Sequence, residues 1–330
     1  MYLKKVFVFI CAAFLSTLAP AFGEKTFEKA FYQSEAYSIS LKYNNEIIPG
    51  EAVFVRMNVT PGKNVKKQSN ALKAELQLLI DGKISQKAPF YQINAKKSRS
   101  NYEMLGAVPF SLWLESEVSC QLKVIFSLNG EQPKEFVLPS CFKLRTFDNE
   151  DIYLNEDNTA IRTDTSAERM AQIERLNNIF FSTNYSAIHN IKSFIPPTDS
   201  TRYTAHCGDR RTYLYANGKK AKNLHFGNDY GIPTGTDVKA CAEGKVVLAQ
   251  DRISTGWSVV IEHLPGLYSV YYHLSELKVS EGDMVKQGQI IGKSGATGMA
   301  TGPHLHWEVR LNGSAVIPEF FLKDFTFEED

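Results

Sequence analysis

Hydrophobic and polar positions follow three rhythms along the chain. From about residue 24 to 145, short apolar runs are separated by turn signals. Residues 51–60 (EAVFVRMNVT) are rich in β-branched side chains and alternate in their second half. Residues 74–80 (AELQLLI) run into Asp81-Gly82, and residues 122–128 (LKVIFSL) into Asn129-Gly130. A period of two marks a half-buried strand, and Asp-Gly and Asn-Gly supply the positive φ angles of tight hairpins. This stretch reads as an immunoglobulin-like β-sandwich.

Between about 146 and 200 the rhythm changes. Thr165-Ser166-Ala167-Glu168 has capping-box spacing, and Met170, Ile173, Leu176 and Phe180 recur three or four residues apart. One helix over roughly 166–181 is expected, in a linker closed by Pro196-Pro197. From 201 to 330 strands return, at 244–249 (GKVVLA), 258–262 (SVVIE) and 267–272 (LYSVYY), with glycine-rich turns at 281–283 and 286–289. No long helical period appears here, so a compact antiparallel β domain is expected. The fold class is mainly β: a sandwich, a short helical connector and a second β domain.

The first residues obey none of these rhythms. Lys4 and Lys5 precede an almost wholly apolar run over 6–18, followed by the small residues Ala19, Ala21 and Gly23. This is the pattern of a secretory signal peptide over 1–23, too short for an ordinary transmembrane helix. No other run approaches membrane length, so no span is expected after cleavage. Export makes Cys120, Cys141, Cys207 and Cys241 candidates for disulfides, paired within each region, although three connectivities stay open. No Cys-x-x-Cys pair offers a thiolate zinc site. Lys and Arg number 37 against 36 Asp and Glu, a net charge of +1, so no basic footprint points to nucleic acid.

The candidate chemistry is concentrated at one end. All seven histidines lie beyond residue 188. Residues 302–309 (GPHLHWEV) put His304 and His306 two apart on a β-prone run, facing the same side at roughly 6–7 Å. Residues 225–233 (HFGNDYGIP) hold His225 and Asp229, with Gly227, Gly231 and Pro233 arguing against a helix. On a straight strand those two would stand roughly 13 Å apart, too far to share one ion at bonds near 2 Å. Sharing requires a bend, which Gly227 permits. His273 ends the strand-like YYHL. His225, Asp229 and one histidine of the pair make a His₂Asp set with a fourth position open to water. The remaining imidazoles are then free for proton transfer and oxyanion stabilisation.

Residues 202–322 resemble the lysostaphin-type zinc metallopeptidases, the peptidase family M23 or LytM-like domain. The likeness is carried by CGDRRTY at 207–213, HxGxD at 225–229, PxGTxVxA at 233–240 and GKVV at 244–247. YHL at 272–274, GDxVxxG at 282–288, GxxGxTG at 292–298 and TGPHLHWE at 301–308 complete it. The leading β domain and linker helix resemble, more loosely, the longer envelope members. The resemblance implies that His225, Asp229 and His306 hold Zn²⁺. It makes His304 the base that activates water and His273 the group that stabilises the oxyanion, a division in which the two can exchange. The implied substrate is the peptide part of peptidoglycan and the implied place the periplasm or cell envelope, with room for a regulatory protein partner. The alternative is a non-catalytic module that binds peptidoglycan or activates another hydrolase. Cys207 departs from the family pattern, where an aromatic residue is usual; a Cys207–Cys241 disulfide would compensate.

Other residues carry weaker expectations. His263 reads as structural, and His206 and His189 as surface or packing residues. Arg210 and Arg211 fit either salt bridges or contacts to substrate carboxylates. Glu308 is placed to orient a metal ligand from outside.

Overall fold

Alternating side chains in the first half close into two facing sheets. In the computed structural model, residues 27–62, 72–94, 101–128 and 130–327 are described, and the signal-peptide reading of 1–23 and the turn residue Asn129 lie outside them. One antiparallel sheet has five strands, in the spatial order Phe27–Gln33, Tyr37–Asn44, Ala52–Pro61, Tyr102–Pro109 and Tyr91–Gln92. The other has four, Lys134–Leu138, Cys120–Ser127, Lys73–Ile80 and Lys83–Pro89. Their inner faces share one core, in which Ile39, Val55 and Met57 meet Leu76, Val124 and Phe126.

Alternation fails in the first half of the Ala52–Pro61 strand because both of its faces are buried there. Val53 and Val55 point into the sandwich, whereas Ala52 and Phe54 belong to the core of the C-terminal half. The Phe54 ring lies 5.0–6.1 Å, centroid to centroid, from Phe320, Phe321 and Phe325. The two halves of the chain therefore share apolar contacts.

The second half is a ten-stranded antiparallel sheet. Its central path runs Tyr203–Ala205, Asn228–Tyr230, Leu305–Leu311, Leu267–Leu277, Gly256–Leu264 and Gly244–Arg252. The two longest hairpin partners, Gly256–Leu264 and Leu267–Leu277, are buried along most of their length. One face carries the main core, including Ile261, Leu305 and Trp307. The other packs against the helix Ala167–Phe181 through Phe180.

That helix is capped by Ser166, whose side chain accepts from the Arg169 N–H. Its apolar stripe is used unevenly. Phe180 is buried with Leu176 and Ile179 beside it, but Met170 is 51% exposed. Near its N-terminus polar contacts replace apolar ones: the buried Gln172 accepts from the Ile253 N–H at 2.9 Å. A second helix, Glu156–Thr163, had no expectation behind it. Asn155 caps it, and it carries no apolar stripe for periodicity to find. The strand before it, Asn149–Tyr153, pairs in parallel with Arg210–Leu214, which forms a hairpin with Lys220–Leu224.

The disulfide expectations are overturned, because all four described cysteines are free. Cys207 packs with Leu112, Leu224 and Ala315, while Cys241 sits in the main core with Sγ 3.9 Å from His263 Nε2. Cys120 opens a strand of the four-stranded sheet opposite Ile80, whereas Cys141 pairs with Glu46 in a separate two-stranded ribbon. In the first region the two cysteines lie in different sheets, and in the second they belong to different apolar clusters. No helix among the described residues is long and apolar enough to cross a membrane.

Phe54→Ala is expected to lower the unfolding free energy by about 3–5 kcal/mol, as for other buried phenylalanines. Urea unfolding followed by tryptophan fluorescence measures this. A loss under about 1 kcal/mol would show that the shared core contributes little, since such truncations normally cost more.

Candidate metal centre

His225 follows directly on the Lys220–Leu224 strand, and Asp229 sits at the centre of Asn228–Tyr230. The chain bends between them at Gly227. Gly227 is not among the glycines with positive φ, so torsional freedom is not what the position requires. It requires space: a Cβ there would lie 2.4 Å from the Trp307 carbonyl oxygen and 2.8 Å from His306 Nε2. The absent side chain lets the bend close onto the neighbouring strand.

Register supplies the third group. Asn228–Tyr230 pairs antiparallel with Leu305–Leu311 so that Asp229 stands opposite His306. On its other side His306 is opposite Tyr272, whose ring lies parallel to the imidazole at 5.5 Å and 7°. Three atoms then converge. His225 Nε2 is 3.1 Å from Asp229 Oδ1 and 3.0 Å from His306 Nδ1, and His306 Nδ1 is 2.7 Å from the same oxygen. All three residues are buried.

The outer contacts set the tautomers. His225 Nδ1 donates to the His206 carbonyl oxygen at 2.9 Å, because a carbonyl can only accept. His306 Nε2 donates to Glu308 Oε1 at 2.9 Å, and Arg310 Nε holds the other carboxylate oxygen at 2.6 Å. With the outer nitrogens committed as donors, the inner nitrogens of the neutral rings turn lone pairs toward a carboxylate oxygen. Such a triangle requires a cation, either a proton or a metal ion. Burial pushes His306 down, but Asp229 and Glu308 outweigh it and lift it to about 9. Burial pushes His225 down. It pushes Asp229 up, yet the two imidazoles hold that carboxyl well below its usual range.

The donor set fits zinc. Two nitrogens and one carboxylate oxygen are among its ordinary ligands, and ligands of a tetrahedral ion at 2.0–2.2 Å stand roughly 3.3–3.6 Å apart. A small opening of the triangle admits the ion.

Asp229 is tied from behind as well. Arg211 Nη2 donates to its Oδ2 at 3.0 Å, and Arg211 Nε to Glu150 Oε2 at 3.1 Å. Arg211 is thus committed to Asp229 and Glu150. Arg210 spends its guanidinium on the Leu112 and Gly208 carbonyls and on Glu115. Glu150 was not a candidate in the sequence; it belongs to the linker strand, and only the fold brings it to Arg211.

Two further imidazoles border the same cleft, which has a volume of about 440 Å³. His304 Nδ1 donates to the Gly302 carbonyl and His273 Nδ1 to that of Thr297, both at 2.8 Å. Each ring therefore presents Nε2 to the cleft; that of His304 is 3.8 Å from Asp229 Oδ1. The ring centroids of the pair are 4.7 Å apart. His273 has φ +62°, a left-handed conformation uncommon for a side chain of this kind. Burial, with His304 and His306 alongside, pushes it down to about 3. The other histidines stay out. His263 is fully buried between the Glu243 carbonyl and Ser269 Oγ, and His206 contributes its backbone oxygen. His189 contributes a backbone N–H to the His263 carbonyl.

With this geometry in place, the comparisons become informative. Residues 223–318 match peptidase family M23. The chain carries a peptidase family M23 domain. It is 44% identical over 95 residues to the DD-carboxypeptidase/endopeptidase Mpg of Neisseria meningitidis serogroup B, covering 29% of this chain and 22% of that protein. It is 42% identical over 92 residues to the peptidoglycan DD-endopeptidase ShyA of Vibrio cholerae, covering 28% and 21%. The matched stretch thus spans about a fifth of these relatives' length. An M23 peptidase structure from Pseudomonas aeruginosa shares the fold, with a TM-score of 0.53 at 21% identity over 84% of this chain and 95% of that one. All five histidine and aspartate candidates fall inside the M23 segment, whereas Arg211 and Glu150 lie upstream of it.

Zinc at 100 times its dissociation constant is expected to stabilise the protein by about 2.7 kcal/mol. The stabilisation is expected to persist in His304→Ala and vanish in His306→Ala, read by thermal unfolding with and without Zn²⁺. Retention of the zinc effect by both variants would refute the assignment of unequal roles. Arg211→Gln is expected to weaken zinc binding roughly 10–100-fold, as loss of outer partners does elsewhere. Competition with a chromogenic chelator checks it, and unchanged affinity would show that the Arg211 contact does not orient Asp229.

Proposed function

We propose that the protein is an exported zinc-dependent endopeptidase that hydrolyses peptide stems or cross-links of peptidoglycan. The observation that carries this reading is the convergence of three inward lone pairs beside two imidazoles whose Nε2 atoms face the same cleft. The likeness to Mpg, a DD-carboxypeptidase/endopeptidase, and to ShyA, a peptidoglycan DD-endopeptidase, supports the substrate class. The apolar leader and the nature of the substrate support action in the periplasm or cell envelope.

Zinc bound by His225, Asp229 and His306 supplies Lewis acidity and an acidified water. His304 takes the proton from the attacking water; its ring is held for this by the Nδ1–H bond to Gly302. His273 presents its Nε2 to the developing oxyanion and can donate to it only as the imidazolium, its Nδ1–H being committed to the Thr297 carbonyl. The C–N bond breaks as a protonated imidazole gives its proton to the leaving amine. Tyr272 stacks on His306 and covers one face of that imidazole.

Purified protein incubated with sacculi is expected to release new amino termini. A chelator abolishes the release and Zn²⁺ restores it. His304→Ala lowers the rate by roughly 10²–10⁴-fold while the metal stays bound, the span typical of general acid–base catalysis. A zinc-loaded protein that yields no new amino termini would point instead to a binding or activating module.

A further inference from the structure

We propose that Arg162, in the last turn of the Glu156–Thr163 helix, forms a carboxylate-binding subsite in the cleft and takes a free carboxylate of the substrate peptide. The proposal rests on reading the cleft as a peptidase site and adds a specificity determinant from outside the M23 segment.

The linker strand and this helix build part of the cleft wall, with Ile152, Leu154 and Arg162 lining the same space as the metal group. The helix is fastened to both sides. Asn158 Nδ2 donates to the Ala300 carbonyl at 3.2 Å, near the His304 loop, and the Ala216 N–H donates to Thr159 Oγ1 at 3.0 Å, in the hairpin turn. Arg162 is held on that wall. Its guanidinium lies 3.6 Å from the centroid of the Tyr213 ring, and its Nε donates to Tyr215 Oη at 3.1 Å.

Charge accounting singles this residue out. Arg211 lines the cleft but is matched by Asp229 and Glu150, and Glu308 is matched by Arg310. No carboxylate among the described residues pairs with Arg162. Stacking and the Nε bond fix the plane of the fork and leave its two Nη groups as donors, the arrangement that suits bidentate binding of a carboxylate. Position agrees with this use. Arg211 and Tyr213 are two apart on one strand, so they face the same side roughly 6–7 Å apart. Arg211 touches the metal ligand Asp229, and Tyr213 carries Arg162. The subsite is therefore displaced along the cleft by about two residues of an extended peptide. Peptidoglycan stem peptides offer such carboxylates at the C-terminus, on the isoglutamate and, where the third residue is diaminopimelate, on that side chain.

Calorimetry on the zinc-loaded full chain tests this, with His304→Ala as the background so that binding is read without turnover. Four probes are titrated: a diaminopimelate-containing stem peptide with its carboxylates free, and the same peptide amidated at the C-terminus, at the isoglutamate or at the diaminopimelate side chain. One amidated peptide is expected to bind about tenfold or more weaker than the free peptide, and its identity names the carboxylate used. Arg162→Gln is expected to bring the free peptide down to that level and leave that amidated peptide unchanged. Arg162→Lys keeps the charge without the fork and retains part of the preference, which controls for a loss of folding in Arg162→Gln. Equal binding of all four peptides, or equal weakening of all four by Arg162→Gln, would overturn the subsite and leave Arg162 a staple between helix and hairpin. Carboxylate-dependent binding with no cleavage of sacculi by the protein with His304 intact would sink the peptidase reading alone. Cleavage with carboxylate-independent binding, or with no binding of any of the peptides, would sink the subsite alone, and failure both to bind the peptides and to cleave sacculi would sink both.

Discussion

The buried carboxylate of Asp229 is the group on which the rest of the site depends. A charge removed from water must be paired and hydrogen-bonded, and removing one partner of such a buried pair costs about 3–5 kcal/mol. Asp229 is satisfied on both oxygens: two imidazoles face Oδ1 and Arg211 holds Oδ2. Each partner is in turn held by a group behind it. The His206 carbonyl orients His225, Glu308 and Arg310 orient His306, and Glu150 orients Arg211. The result is a cluster with its protons on the outside and its lone pairs on the inside. The electrostatics that make a cation welcome are thus built into the protein before any ion arrives.

Holding this cluster in place demands a rigid frame, and the sheet supplies it. Leu305–Leu311 has neighbours on both edges, so the positions of His306, Asp229 and Tyr272 are set by backbone pairing rather than by loop conformation. The strands beneath are buried on both faces, by the main core on one side and by the linker helix on the other. The first half of the chain adds to that frame through Phe54 and its aromatic neighbours from the C-terminal end. The imidazoles of His273 and His304 sit at the border of this frame, where His273 leaves regular strand geometry and His304 precedes the strand proper. The His225, Asp229 and His306 side chains are thus held rigidly, with His273 and His304 beside them at the edge of regular strand geometry.

The linker takes a larger part than its sequence suggests. Its strand extends the Arg210–Leu224 hairpin, its short helix walls the cleft, and its long helix covers the back of the sheet. Glu150 and Arg162 both come from it. A segment between two domains thereby contributes to the charge balance of the site.

Much was legible without coordinates, and the reasons are local. Period-two alternation marked the sandwich strands, and the capping signal with its stripe marked the long helix, because both depend on neighbours close in sequence. His225, Asp229, His273, His304 and His306 were legible as a set through residue type and spacing, together with the family likeness. Other features depend on what packs against what. Gly227 was chosen for a bend by its torsional freedom; the fold shows that a Cβ would strike the neighbouring strand. Cysteines that share a region of sequence turned out to pack against different neighbours. The Glu156–Thr163 helix has no stripe to read, since it is held by side-chain caps and hydrogen bonds instead of a buried face. Residue type and spacing, together with the family likeness, singled out by themselves which side chains are the candidates for the chemistry. Only the tertiary structure decided which nitrogen of each ring turns inward and which distant carboxylate backs each cation, because those choices belong to contacts between segments that the chain order keeps apart.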